Sequence, residues 1–360
     1  MKLLSGYKVY DEVRTAHLER AADGPSGISL LYRKASYDFD KDAARKLGVL
    51  QVSPLRAFFR IVRARPDCVE LNEPLFLRAL PMMAACVAGA ALSGLLRGKG
   101  TRVVTYAIEN IDMNAKIASH GGRWGVGLAL LLRQALWLLA GRFSRIAFGS
   151  EEARSAYHAF MGELPASVTS RVFAAVEPPC PICRCVKMAD SVMFLGAFDD
   201  RKGIRHLMDA WLAVLAVVPS ARLEIIGKGV LAGQVTEWAS QRPEVSLKID
   251  PPRADIHDAL SGARVLVLPS IGSTRWREQI GLPIVEALSH GCVVVTSPDT
   301  GLSAWLGQAG HIIVDHPTDA GLLAEGIVKA LNSDLGSADV LAFLPARSGR
   351  QQAEEWLWQS

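Results

Sequence analysis

The stretch REQIGLPIVEALSHGCVVVTS, residues 277 to 297, sets two carboxylates, Glu278 and Glu286, on either side of the tight run Gly281-Leu282-Pro283. Pro283 suits the first position of a helix, because no N–H is needed there and its φ is already helical. Gly291 is placed to end that helix. An apolar strand, RVLVLPS (264 to 270), precedes the loop, so the helix opens beside a strand's carboxyl end. Its free N–H groups and positive dipole end make a ready site for phosphate, and Gly281 lets the backbone come close to a ligand. The spacing puts Glu286 in the first helical turn and Glu278 just outside it. Each carboxylate accepts hydrogen bonds in pairs and can hold a vicinal diol, one the ribose of a nucleotide, the other hydroxyls of an attached sugar. Acids at a helix start also complement its dipole, but that accounts less well for two acids bracketing a Gly-Leu-Pro turn.

The elements that must position these residues alternate strand and helix in both halves. In the second, strands at 192–198, 221–227, 245–249, 264–270, 292–297 and 311–315 are separated by helical stretches. In the first, GISLLYR (27 to 33), VLQVS (49 to 53), CVELNEP (68 to 74), TRVVTYAIEN (101 to 110) and SRIAFGS (144 to 150) read as strands. That order predicts α/β architecture with two Rossmann-like, doubly wound parallel sheets whose strand ends face a central cleft, where such sheets bind ligands. The expected division is a first domain over 1–178, a Pro-rich linker over 179–190, a second domain over 191–345, and a closing helix over 346–360 that packs back on the first domain.

A chain of 360 residues, 50% hydrophobic and 21% charged, is long enough for two cores. Residues 1 to 190 carry 26 Lys and Arg against 17 Asp and Glu, whereas residues 191 to 360 carry 14 against 19. The basic half suits anionic lipid, phosphorylated substrates or nucleic acid; with no Lys/Arg cluster interleaved with aromatics, nucleic acid is the weakest of the three. The start MKLLSGYKVYDEVR has no continuous apolar stretch, and a reducing, cytoplasmic setting is expected. Cys180, Cys183 and Cys185 offer three thiols with no His close by in sequence, so the expectation is no metal and no cofactor. The uncharged run 79 to 96 lies between two strands and is read as a buried crossover helix rather than a membrane span; peripheral contact of the basic half with a membrane stays open. Asp38 and Asp40 have metal-binding spacing but read as solvated surface.

Taken together, EQIGLPIVEALSHGCVVVTS resembles the E-x(7)-E motif of retaining glycosyltransferases with the GT-B fold, glycosyltransferase family 4 in particular. FLGAFDDRKGIRHLMDAW (194 to 211), ARLEIIGKG and ALSGARVLVLPS resemble further segments of that family in order and spacing, so the match spans most of residues 192 to 332. The resemblance implies that Arg201 and Lys202 hold the donor's diphosphate and offset charge on the leaving group. It implies that Glu278 lies near the donor sugar, that Glu286 binds ribose, and that Gly196, Gly281, Leu282 and Pro283 line the donor site. Fixed positive charge where an anion departs agrees with the chemistry, while Asp199 and Asp200 could instead pair with Arg201 and Lys202 in a solvated turn.

The first half departs from the family. It shows Gly6 alone in place of a Gly-Gly loop, a first strand that reads as shortened or degenerate, and Glu109-Asn110 where many members carry a His. Asn72-Glu73 and Glu109-Asn110 each join an acid to an amide at a strand end, suited to acceptor hydroxyls or to turn and cap roles. The reading is a retaining glycosyltransferase taking a nucleotide-diphosphate sugar donor and a sugar or lipid-linked acceptor, without metal and without nucleic acid. The rivals are a catalytically weakened binding or partner subunit and a sugar-nucleotide epimerase.

Overall fold

Strand β1 (Gly6–Val13) runs through the middle of the first sheet, between β2 (Ile28–Ala35) and β4 (Cys68–Leu71). This is an eight-residue strand where a shortened one was expected from sequence. Its polar residues hide it: Lys8 and Asp11 are buried, and each has a charged partner, Lys8 in Glu354 and Asp11 in Arg33. Gly6 is required by close approach, since a Cβ there would stand 1.8 Å from the Cys68 carbonyl oxygen.

The computed structural model describes residues 4–22, 27–36, 39–121, 125–182 and 186–359. By internal contacts the chain forms two units, one of Met1–Gly149, Arg154–Phe173 and Gln351–Ser360, the other of Ser150–Ala153 and Ala174–Arg350. The first sheet is completed by β3 (Leu50–Gln51), β5 (Arg102–Ala107), β6 (Arg145–Phe148) and β7 (Thr169–Val172), in the order β3-β2-β1-β4-β5-β6-β7, all parallel. Up to this point the helices are α1 (Thr15–Ala22), α2 (Lys41–Lys46), α3 (Pro54–Ala64), α4 (Leu80–Arg97), α5 (Met113–Gly121), α6 (Gly125–Ala140) and α7 (Glu151–Met161). Helix α4 crosses between the paired strands β4 and β5 with Met82, Met83, Cys86, Gly89, Ala90 and Ser93 buried. It is long and apolar enough to span a membrane, yet it packs on α3 so closely that a Cβ on Gly89 would lie 3.1 Å from the Phe58 carbonyl oxygen. Asp40, of the acidic pair noted above, caps α2 by accepting the Asp42 and Ala43 N–H groups; Asp38 lies outside the described residues.

The second sheet runs β10 (Val245–Ile249), β9 (Arg222–Lys228), β8 (Ser191–Ala197), β11 (Val265–Leu268), β12 (Val293–Thr296), β13 (Ile312–Ile313), again all parallel. Its helices are α8 (Ile204–Val217), α9 (Ala232–Ser240), α10 (Arg253–Gly262), α11 (Leu282–Ser289), α12 (Ser303–Gln308), α13 (Ala320–Leu331) and α14 (Ser337–Phe343). Near-continuous Val and Leu in β11 and β12 leaves both strands buried along their whole length, as expected of strands covered by helices on both faces.

The chain closes with α15 (Gly349–Trp358), whose residues from Gln351 on group with the first unit. There the Trp358 indole N–H donates to Glu70 at 2.8 Å, the Tyr10 hydroxyl donates to the same carboxylate at 2.9 Å, and Arg145 donates to the Gln359 carbonyl at 2.9 Å.

Candidate active site

The second unit gathers the candidate donor residues at the carboxyl ends of β8, β9 and β11. After β8 the chain makes a single 3-10 turn, Asp200–Lys202, capped by the Asp199 carboxylate accepting the Lys202 N–H. Gly203 then takes φ 73° and opens α8; a Cβ there would sit 2.2 Å from the Pro269 carbonyl oxygen, so the turn is held against the end of β11. This holds Lys202 beside Glu278: Lys202 Nζ donates to Glu278 Oε2, and the Ser270 hydroxyl donates to the same oxygen at 3.2 Å. Arg201 lies with its guanidinium 4.7 Å from the Trp276 ring centroid and Lys202 Nζ at 5.4 Å, cation–π distances that bring both bases to one aromatic ring. Arg201 also pairs with Asp199 at 2.6 Å. The pairing with an acid considered for a solvated turn is therefore present for Arg201, whereas Lys202 reaches the buried Glu278.

Glu278 is set by backbone bonds. Its N–H donates to the Asp299 carbonyl at 3.1 Å and its carbonyl accepts from Gly301 at 2.7 Å, a parallel bridge to Thr300. Asp299 ties the intervening loop by accepting from the Gly272 N–H at 2.7 Å and from Arg277 at 2.8 Å. Three residues on, Gly281 takes φ 76° and caps α11, where a Cβ would lie 3.5 Å from the Glu278 Cγ and 3.1 Å from the Ile284 side chain.

Helix α11 begins at Leu282 with Pro283 in its first turn, and Gly291 at φ 77° follows its end. Glu286 is therefore its fifth residue, one residue further in than a start at Pro283 implies, and the first turn contains no acid. Compensation of the dipole is strongest within the first turn, and Glu286 stands one residue past it. Its carboxylate accepts from Arg253 of α10 at 2.8 Å and, with Gly196, Leu282 and Pro283, lines a cavity of about 300 Å³. Gly196 and Gly227 pair across β8 and β9 at the cavity floor, where a Cβ on Gly227 would overlap the Gly196 carbonyl oxygen at 1.8 Å. The rim carries Lys228, bonded to Asp250 at 2.8 Å. A smaller cavity of about 190 Å³ lies at the amino ends of β8 and β9, beside Ser191 and Arg222, on the edge of the sheet away from these groups.

Sequence reasoning thus named the acids and bases but missed Trp276, Arg253 and the Lys228–Asp250 pair. Arg253 lies 33 positions from Glu286 and nothing in local spacing joins them.

In the first unit, Asn72, Glu73, Glu109 and Asn110 cluster at the ends of β4 and β5. Glu73 is buried and accepts from the N–H groups of Ile108 at 3.2 Å and Glu109 at 3.0 Å and from the Tyr157 hydroxyl at 3.0 Å. Burial, with the nearby Glu109 charge adding to it, raises its pKa to about 7. Asn72 Oδ1 accepts the Asp11 N–H at 2.6 Å. For Asn72 and Glu73 these bonds are of the turn and strand-end kind.

The three-thiol segment meets partners that the sequence did not show. The fold places Cys180 beside His257 and His290, with their ligand atoms within 4.8 Å of one another. Cys183 and Cys185 lie outside the described residues.

Residues 189–333 match the family model of the glycosyl transferases group 1. The phosphatidyl-myo-inositol mannosyltransferase of Mycobacterium tuberculosis is 31% identical over 280 residues, 75% of this chain and 65% of that protein. The chain thus spans about two thirds of the length of that relative. The O-antigen chain mannosyltransferase B of Escherichia coli is 28% identical over 174 residues, 47% of this chain and 42% of the relative. Among solved structures, Anabaena HepE in complex with UDP superimposes with a TM-score of 0.68 at 14% identity, covering 98% of this chain and 99% of its own.

Proposed function

Residues 189–333 belong to the glycosyl transferases group 1 and the chain has the GT-B fold; on that premise we propose that it is a retaining glycosyltransferase that moves a hexosyl unit, mannose foremost, from a nucleoside-diphosphate sugar to a hydroxyl of a glycan or lipid acceptor in cell-envelope synthesis. The observation that carries the proposal is the arrangement within the second unit. Lys202 and Arg201 both pack on the Trp276 ring, Lys202 paired with Glu278, while α11 opens at Gly281 and presents Glu286, one turn on, to a cavity at the strand ends. The relatives' names support mannose, and HepE with UDP supports a nucleotide in this fold.

In this reading the cavity takes the nucleoside, with Glu286 accepting from ribose hydroxyls and the Gly196–Gly227 floor leaving room for it. The diphosphate lies toward the amides that open α11 and toward Arg201 and Lys202. The bond between the sugar's anomeric carbon and the diphosphate oxygen breaks, and its electron pair stays on that oxygen. The acceptor oxygen bonds to the same carbon from the same face, and its proton passes to the departing phosphate. Fixed cations and N–H groups where that negative charge grows lower the barrier, and they take the place of a divalent metal at the diphosphate. Catalysis on the cytoplasmic face of a membrane fits the first unit, where α3 exposes Leu55 and Phe59, at 64% and 60%, on a helix that also carries Arg56, Arg60 and Arg63.

A thermal-shift panel of nucleoside diphosphates and their sugars tests the reading, because a ligand that binds only the folded state stabilises it, by about 2.7 kcal/mol at a hundredfold excess over Kd. One diphosphate shifting the midpoint, with transfer from its sugar conjugate to a lipid or glycan acceptor, is expected. A shift without transfer would identify a binding subunit, donor consumption without an acceptor an epimerase, and the absence of any shift would remove the donor site.

A further inference from the structure

The segment that enters the second unit, EPPCPIC, carries Cys180 to the end of α11, and the fold delivers two imidazoles to it from separate helices. His290 is the C-cap of α11 and His257 lies on α10. The Cys180 backbone N–H donates to the Ser289 carbonyl at 2.8 Å, which pins the thiol-bearing residue beside His290. His290 Nδ1 lies 2.7 Å from the Glu286 carbonyl oxygen, and that ring nitrogen must carry the proton, because a carbonyl only accepts. The lone pair of His290 is therefore on Nε2, which faces His257 Nδ1 at 2.9 Å. The two rings meet edge to face, with centroids 4.6 Å apart. Cys180 is a free, partly exposed thiol and His257 is likewise partly exposed, so an ion can enter from solvent.

We propose that Cys180, His257 and His290 bind a zinc-class divalent cation, an ion that fastens the incoming segment to α10 and α11. One thiolate and two imidazole nitrogens are the donor set of a borderline-soft metal in tetrahedral geometry. Zinc sits about 2.0–2.1 Å from nitrogen and about 2.3 Å from sulfur, so ligand atoms that already converge within 4.8 Å need only side-chain adjustment. The Nδ1–H bond from His290 to the Glu286 carbonyl is the outer contact that ligating histidines habitually make, fixing tautomer and ring plane. Water completes the tetrahedron. Binding releases the thiol proton and breaks the hydrogen bond in which His257 Nδ1–H donates to His290 Nε2; where His257 ligates through Nδ1, its proton moves to Nε2, and no oxidant or reductant takes part. Three protein ligands leave one coordination position to water, and they tie the incoming segment to the far end of the helix whose start faces the cavity. The site's existence does not depend on what the cavity binds.

The test uses the full chain without an affinity tag, stripped with a chelator and kept reduced. Cobalt(II) titration should show one equivalent binding with a thiolate-to-cobalt charge-transfer band and tetrahedral d–d absorption, and zinc should displace it. Cys180→Ser should lose the charge-transfer band and His257→Asn should weaken binding by more than about tenfold. Both residues are partly exposed, so both variants keep the core intact. Zinc should also raise the unfolding midpoint of the wild type and leave that of Cys180→Ser unmoved. Cobalt binding with an unchanged band in Cys180→Ser, or zinc that fails to shift the wild-type midpoint, would overturn the proposal.

Discussion

Lys202 and Glu278, 76 positions apart in sequence, form an ion pair whose side chains are 15% and 11% exposed. Each neutralises the other, so a diphosphate that comes to Lys202 competes with Glu278 for the same ammonium. Glu278→Gln should therefore bind nucleoside diphosphate more tightly than the wild type by isothermal titration, while sugar transfer falls. Lys202→Ala should lose affinity and reduce turnover by about 10²–10³. Equal affinity in Glu278→Gln and wild type would show that ligand binding does not open the pair.

Glu286 should distinguish nucleoside from phosphate. Glu286→Ala is expected to weaken nucleoside diphosphate by about 1.5–3 kcal/mol, the range for a hydrogen bond to a charged group, and to leave inorganic diphosphate affinity unchanged. Arg253→Ala, at an 85% exposed side chain, should have a much smaller effect. Parallel losses for both ligands in Glu286→Ala would place the carboxylate on the diphosphate.

The floor of the cavity has no room for a methyl group. Gly227→Ala should lower the thermal midpoint sharply, because its Cβ would overlap the Gly196 carbonyl oxygen and break the pairing of β8 with β9. Gly233→Ala, in helix α9 with open space at the same test position, should stabilise by up to about 1 kcal/mol. Calorimetry of both variants separates a packing constraint from the conformational cost of glycine.

Glu73 makes stability depend on pH. Burial raises its carboxyl from 4.5 to about 7, so the folded protein holds that proton more tightly than the unfolded chain. The contribution is complete below about 4.5 and is lost as pH rises through 7, on the order of 3 kcal/mol in all. His311, buried and pushed down to about 4, acts in the opposite sense: its contribution is complete above 6.5 and is lost as pH falls toward 4. Glu73→Gln should thus gain on the wild type between pH 5 and pH 8 in urea unfolding, with His311 cancelling from the comparison. A constant difference across that range would refute the assignment.

Much of the second unit is legible in sequence because its signals are local. Apolar runs such as VLVL and VVVT mark buried parallel strands, and Gly281-Leu282-Pro283 marks a helix start. What stayed hidden depends on distant partners. β1 looks too polar for a central strand until Glu354 and Arg33 are known to receive Lys8 and Asp11. The thiols around Cys180 have no histidine close by in sequence, and a helix starting 73 positions later brings up His257. Glu286 lies one residue further into its helix than a start at Pro283 implies, because the start at Leu282 is a boundary detail that spacing alone leaves loose.

The return of α15 to the first unit has a consequence for biogenesis. Because residues 351–360 group with residues 1–149, the first unit is not finished when the strands of its sheet have left the ribosome. Lys8 and Glu70 stay without Glu354 and Trp358 until the whole intervening unit has been translated. Co-translational folding therefore runs against the usual order, with the later unit free to consolidate first and the earlier one sealed last. Expression of the first unit alone calls for a circular permutation that joins the α15 segment to it, rather than a cut at the linker.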